Sequence, residues 1–168
     1  SAESTYGHIK DWDVSKITNM TNLFHQKQFN DDITSWNVSK VTNMNGLFMY
    51  NRIFNQDIGG WNVSNVEDMG NMFGEAEAFN QDISGWNVSK VTSMKNMFYG
   101  ATSFNQDIGG WNVSNVDNMM QMFRNAESFN QDLSTWSVPH ISEEPTRFNT
   151  NANSTWTSNT EYQPNWGD

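Results

Sequence analysis

Five carboxylates, Asp32, Asp57, Asp82, Asp107 and Asp132, recur every 25 residues in a chain of 168. If the repeats stack in register, like charges roughly 5 Å apart repel unless something compensates them. Calcium, held by oxygen ligands, is one compensator. Backbone N–H groups at the adjoining turn are the simpler one. The spacing lacks the dense Asp-x-Asp-Gly pattern of calcium loops, so the backbone is the favoured compensator and calcium the disfavoured one. A second periodic set, Asn37, Asn62, Asn87 and Asn112, with Asp13 and Ser137 at its ends, is polar and nearly uncharged. This set is the candidate for recognition.

Bond-breaking chemistry has less to stand on. His8, His25 and His140 fall outside the recurring positions, and none has a nucleophile and an orienting acid beside it in sequence. There is no phosphate-cradling glycine loop and no His-x-x-x-His pair. No catalytic residue, cofactor or metal-ligand set is therefore expected, and the chain reads as a non-enzyme. Trp36, Trp61, Trp86, Trp111 and Trp136 would make an aromatic ladder for sugar stacking. Their Ile and Val neighbours place them instead in an inward column, as core. The Met and Phe columns, for example Met94 and Phe98, read as core too. Asn30, Asn55, Asn80, Asn105 and Asn130 are expected to form a buried column that satisfies backbone groups between turns.

The unit that positions these residues reads W-N-V-S-[KN]-V-x-x-M-x-x-[ML]-F, then a looser stretch, then F-N-Q-D-[IL]-x-x before the next Trp. A unit of this length cannot bury its apolar face alone, so the copies must stack into a solenoid. Ile83, Trp86 and Val88 have the spacing of a short strand with one face inward, which turns Asn87 outward. Val91, Met94, Met97, Phe98 and Ala101 have the spacing of a helix of about three turns. Ser15, Ser39, Ser64, Ser89 and Ser114 suit its N-cap, with capping boxes at Ser64–Glu67 and Ser114–Asp117. The expected fold is α/β, a right-handed leucine-rich-repeat-like solenoid with one short parallel strand and one short helix per turn. On its sheet face the outward Asn column lies beside Ser35, Gly60, Gly85 and Gly110. That surface is small, polar and flat, the kind solenoids use for binding. The same Asn residues begin N-V-S sequons, which a eukaryotic secretory host would read as glycosylation sites. An ice-binding reading lacks the regular Thr arrays it needs.

The FNQDI-x-x-WNVS-x-V-x-x-M-x-x-MF consensus resembles the 25-residue repeat of BspA-like bacterial surface proteins, a group common in mycoplasmas and Bacteroidetes and largely of unknown function. The resemblance covers about residues 11–138. It implies a leucine-rich-repeat-like module of secreted or cell-surface proteins, often linked to adhesion, and it carries no catalytic residues over. Trp, Val, Ile and Met stand here where leucine-rich repeats use Leu, so their curvature does not transfer.

Composition limits the partners. A net charge of −10 argues against nucleic acid, whose phosphates require clustered Lys and Arg. It argues equally against an anionic membrane surface. No apolar run approaches ~18 residues, so no direct membrane insertion is expected. With no cysteine there is no disulfide framework. The chain divides into a lead-in at 1–10 without a visible signal peptide, a solenoid of five to six repeats at 11–140, and a C-terminal cap at 141–168. In that cap Phe148, Trp156, Tyr162 and Trp166 would cover the last turn. The expected role is an extracellular or cell-surface module that recognises a protein or glycan on another cell or surface. The rival is a passive spacer within a larger adhesin.

Overall fold

The computed structural model describes residues 5–167; Ser1 to Ser4 of the expected lead-in and Asp168 of the expected cap lie outside the described residues. The 25-residue period becomes a stack of similar coils linked in parallel. Isolated bridges join Asn19 to Asn43, Asn43 to Asp68, Asp68 to Ser93 and Ser93 to Asn118. Regular elements occur only toward the two ends of the described chain. They are 3-10 turns at Ile9–Asp11 and Thr160–Tyr162, a parallel pair β1 (Ser137–Val138) and β2 (Asn165–Trp166), and a helix α1 (Ser154–Ser158).

The helix expected from Val91 to Ala101 is not formed. Asn96 and Gly100 have φ of 55° and 65°, in the left-handed region, and the equivalent Asn71 and Glu75 have 57°. Two left-handed residues four apart interrupt the run of right-handed residues that an α-helix needs. Their N–H groups, with those of Met94 and Phe98, point along the stack. Met94, Asn96, Phe98 and Gly100 donate to the carbonyls of Asn118, Met120, Met122 and Arg124 at 2.8–3.0 Å. The alternate residues close tight turns: Met97 to Met94, Tyr99 to Asn96 and Ala101 to Phe98, each at 3.1 Å. The apolar spacing read as a helix face still holds, because Val91, Met94, Met97, Phe98 and Ala101 are all buried. Burial at those offsets is common to a helix and to this coil, so periodicity alone could not separate them.

The strand expected from Ile83 to Val88 is also absent, and among the described residues this stretch has no inter-unit backbone hydrogen bond. The tryptophan side chains stitch it instead. Indole Nε1 of Trp61, Trp86, Trp111 and Trp136 donates to the carbonyls of Ile33, Ile58, Ile83 and Ile108, at 3.1–3.2 Å. The backbone ladder therefore runs through the segment expected to be helical, and the segment expected to be extended is held by side chains except in the last unit, where Ser137–Val138 pairs with Asn165–Trp166.

The core is built from columns. The five tryptophans from Trp36 to Trp136 are at most 5 % exposed, and the Met and Phe columns between them are buried. Phe48, Phe73, Phe98 and Phe123 stack on one another with centroids 5.6–5.8 Å apart. A second column, Phe54, Phe79, Phe104 and Phe129, repeats at 5.9–6.0 Å. Within a unit the two columns meet, as Phe73 and Phe79 do at 3.9 Å. At the far end Trp156 packs edge-on against Phe123 and Phe129, with centroids at 5.2 and 4.8 Å, and Phe148 is buried with it. Asn153 caps α1 by accepting from the N–H groups of Thr155 and Trp156, which fixes Trp156 over the last coil.

Candidate recognition face

Each Asn of the candidate row closes a local turn. Asn87 Oδ1 accepts from the Ser89 N–H at 3.1 Å and from its hydroxyl at 2.7 Å. Asn37, Asn62 and Asn112 do the same with Ser39, Ser64 and Ser114. The serines therefore serve this turn and not a helix N-cap, and with no helix present the capping boxes at Ser64 and Ser114 do not form. An Asn that spends its oxygen in this way is held in one orientation. Its Nδ2 group is left without a hydrogen bond among the described residues, and all four side chains are on exposed residues. The result is a row of oriented amide donors, one per coil. None of the expected strands is formed at Asn37, Asn62, Asn87 or Asn112, while at the far end of the row Ser137 lies in the parallel pair β1–β2.

Beside that row, a Cβ added at Gly60, Gly85 or Gly110 would meet nothing within 4 Å, so the surface there is open. Ser35, at the same position in an earlier unit, turns its hydroxyl to the Lys10 carbonyl at 3.2 Å, and Thr135 likewise reaches the Gly109 carbonyl at 2.8 Å. Where this column carries a hydroxyl, that group tethers neighbouring coils; where it carries glycine, the edge stays clear. Asp107, Gly109, Gly110, Trp111, Asp132 and Thr135 line a shallow depression between two coils.

The carboxylate column is compensated by backbone. Asp32, Asp57, Asp82, Asp107 and Asp132 each accept the N–H two residues on, at 2.9–3.0 Å. At Asp32 the bonding is doubled by the Thr34 hydroxyl at 2.7 Å. The Ser84 hydroxyl and then its amide hold the Asp82 carboxyl below its ordinary range, and Ser134 does the same for Asp132. For Asp32 the Thr34 amide leads and its hydroxyl follows. Among the described residues no three His, Cys, Asp or Glu side chains gather where they could hold a metal ion. His25 sits beside the Tyr50 ring, with centroids 5.8 Å apart.

The Asn30, Asn55, Asn80, Asn105 and Asn130 column links turns as expected but is exposed, not buried. Each side-chain oxygen in the first four accepts the backbone N–H of the next Asn at 2.8–3.0 Å. The buried asparagine is one the sequence pattern passes over. Asn51, 0 % exposed, stands where later units have Ala76, Ala101 and Ala126. Its side chain accepts from the Phe29 N–H at 3.3 Å and donates to the Phe29 carbonyl at 2.9 Å. The signal was a length difference: Phe24 to Phe29 is one residue shorter than Phe48 to Phe54, and Asn51 makes up for the missing backbone.

No helix among the described residues is long and apolar enough to cross a membrane. No curated protein and no solved structure matches the chain. A family model does match, at residues 1–89 and again at 59–162, so that nearly the whole sequence lies within one match or the other. The chain belongs to the family described as "Mycoplasma protein of unknown function, DUF285".

Proposed function

We propose that the chain is a non-enzymatic recognition module of solenoid type, extracellular or on a cell surface, that binds a protein or glycan through the Asn37, Asn62, Asn87 and Asn112 row. The observation that carries this reading is the pairing of oriented, uncommitted Nδ2 donors with the open glycine edge at Gly60, Gly85 and Gly110. With carboxylates of the Asp column on the same units, the surface offers donors and acceptors at a repeat of roughly 5 Å, which suits a ligand with repeated hydroxyl or amide groups. The resemblance to BspA-like surface proteins supports an adhesive role, and membership of a Mycoplasma repeat family is compatible with it. The acidic surface disfavours nucleic acid as the partner.

The test is a screen of glycans and host-cell proteins against the purified chain, run with calcium and with chelator, and repeated on the triple variant Asn62→Lys, Asn87→Lys, Asn112→Lys. Binding that disappears in the variant while its melting temperature holds supports the face. Binding that survives removes the Asn row from the site. A passive spacer is the second reading, and one observation favours it: Phe54 to Val66 and Phe104 to Val116 are identical residue for residue, as a spacer under no pressure to tailor a site would be. A screen negative in both conditions would favour that spacer.

A further inference from the structure

The surface around the Asn row repeats every two coils, while the core beneath it repeats every one. Two residues after the carboxylate column the side chain alternates along the stack, as Thr34, Gly59, Ser84, Gly109 and Ser134. Beyond each Trp the outward positions alternate in step, as Lys40, Asn65, Lys90 and Asn115, and again as Thr42, Glu67, Thr92 and Asp117. The identity of Phe54 to Val66 with Phe104 to Val116 skips the coil between them. That coil, from Phe79 to Val91, differs from both at Ser84 and Lys90 alone, and both side chains are exposed. The buried Trp, Val and Phe columns carry no such alternation, so packing of the core does not require it.

The alternation reaches the hydrogen bonding and the contour of the face. The Thr34 hydroxyl bonds Asp32 at 2.7 Å, and the Ser84 and Ser134 hydroxyls engage Asp82 and Asp132. Asp57 and Asp107 instead accept only the Gly59 and Gly109 N–H groups among the described residues, at 3.0 Å. Every second carboxylate therefore keeps more of its acceptor capacity for a ligand. At the same two glycines the next coil comes close, since an added Cβ would stand 2.4 or 2.6 Å from the carbonyl oxygen of Asp82 or Asp132. Ser84 carries a side chain at the equivalent place. The face thus offers one Asn donor per coil, and a carboxylate beside alternately a hydroxyl and a bare glycine.

Period selects the occupant. Coils joined by a backbone ladder lie roughly 4.8 Å apart, so the two-coil repeat is about 10 Å. An extended polypeptide laid along the stack shows like side chains every two residues, about 7 Å, and falls out of step within a few coils. A helix repeats at each turn, about 5.4 Å, and does not distinguish alternate coils. In a β-1,4-linked chain of hexopyranoses each ring is turned over relative to the last, so like groups recur along one edge at every second sugar, and one ring is about as long as a coil is thick. The net charge of −10 favours a neutral chain over one bearing carboxylates or sulfates. We propose that the Asn row binds a neutral β-1,4-linked polysaccharide laid along the stack, one sugar per coil and one disaccharide per pair of coils. This inference rests on the recognition role proposed for that row.

The probes are cellohexaose and the β-1,4-linked hexamer of N-acetylglucosamine, with maltohexaose, whose α-1,4 links coil the chain, as control. Calorimetric titration into the full chain is expected to give saturable binding of at least one β-linked hexamer and about tenfold or more weaker binding of maltohexaose. The double variant Ser84→Gly, Lys90→Asn gives the Trp86 coil the surface of its two neighbours and so removes the alternation. Because both side chains are exposed, its melting temperature should hold, while hexamer binding weakens about tenfold or more. Unchanged binding in that variant, lost in Asn62→Lys, Asn87→Lys, Asn112→Lys, would overturn the two-coil match and leave the Asn row as the site. Hexamer binding that survives the triple variant would overturn both. No binding of either β-linked hexamer at about 1 mM would overturn the proposal. A purified protein ligand whose binding is lost in the triple variant would then put a polypeptide in the polysaccharide's place and spare the row.

Discussion

The Trp86 indole Nε1 donates to the backbone carbonyl of Ile58, 28 residues earlier, at 3.1 Å. That one bond joins two coils where no backbone ladder joins them, and it lies inside a core whose next Trp, Trp111, stacks on Trp86 at 6.4 Å and 5°. The column is therefore both apolar filling and hydrogen-bonded seam.

Truncating that seam should be costly. Trp86→Ala is expected to lose about 3–5 kcal/mol of unfolding free energy, as removal of a large buried aromatic does. Trp86→Phe keeps most of the packing but leaves the Ile58 carbonyl unpaired, which adds about 1–3 kcal/mol to the lost area. Urea titration of both variants separates the terms. A loss under ~1 kcal/mol for the Ala variant would return the Trp column to the list of exposed binding residues.

Two adjacent glycines should behave differently. A Cβ at Gly109 would lie 2.6 Å from the Asp132 carbonyl oxygen, in the next coil, whereas one at Gly110 meets open space. Gly109→Ala should destabilise by about 1–3 kcal/mol by forcing two coils apart. Gly110→Ala should stay within about 0.5 kcal/mol of the parent. Equal thermal shifts for the two would contradict the close approach of coils at Gly109.

Asn51→Ala installs the residue that later units carry, yet it should destabilise. The Phe29 N–H and carbonyl lose their partners because the short first coil has no backbone to replace them. The expected loss is about 1–3 kcal/mol by denaturant titration. A stabilised variant would mean that Asn51 is tolerated there and not required.

The Asp82 carboxyl titrates below its ordinary value of 3.8 because the Ser84 hydroxyl and amide bond its charged form. A carboxyl with a depressed folded pKa contributes stability that is complete above the ordinary value and is lost as pH falls through the lowered one. Ser84→Ala removes the hydroxyl, the larger cause, and should raise the Asp82 midpoint toward 3.8. Carbon-detected NMR titration of the carboxyl reads this directly. An unmoved midpoint would show that the hydroxyl does not face the carboxylate in solution.

The repeat, its period and the identity of its core columns were legible in the chain alone, because burial of one apolar set per 25 residues is a property of composition and spacing. So was the outward placement of Asn37, Asn62, Asn87 and Asn112, since they alternate with Trp and Val that must go inward. The conformation of the backbone between those anchors was not legible. Val91, Met94, Met97 and Phe98 have a helix's spacing, but left-handed residues at Asn96 and Gly100 turn alternate N–H groups toward the next coil, and only a neighbouring coil makes that arrangement favourable. The same holds for Asn51. Whether a polar group is satisfied depends on a partner some 25 residues away in sequence, and the partner's position is decided only when the coils stack.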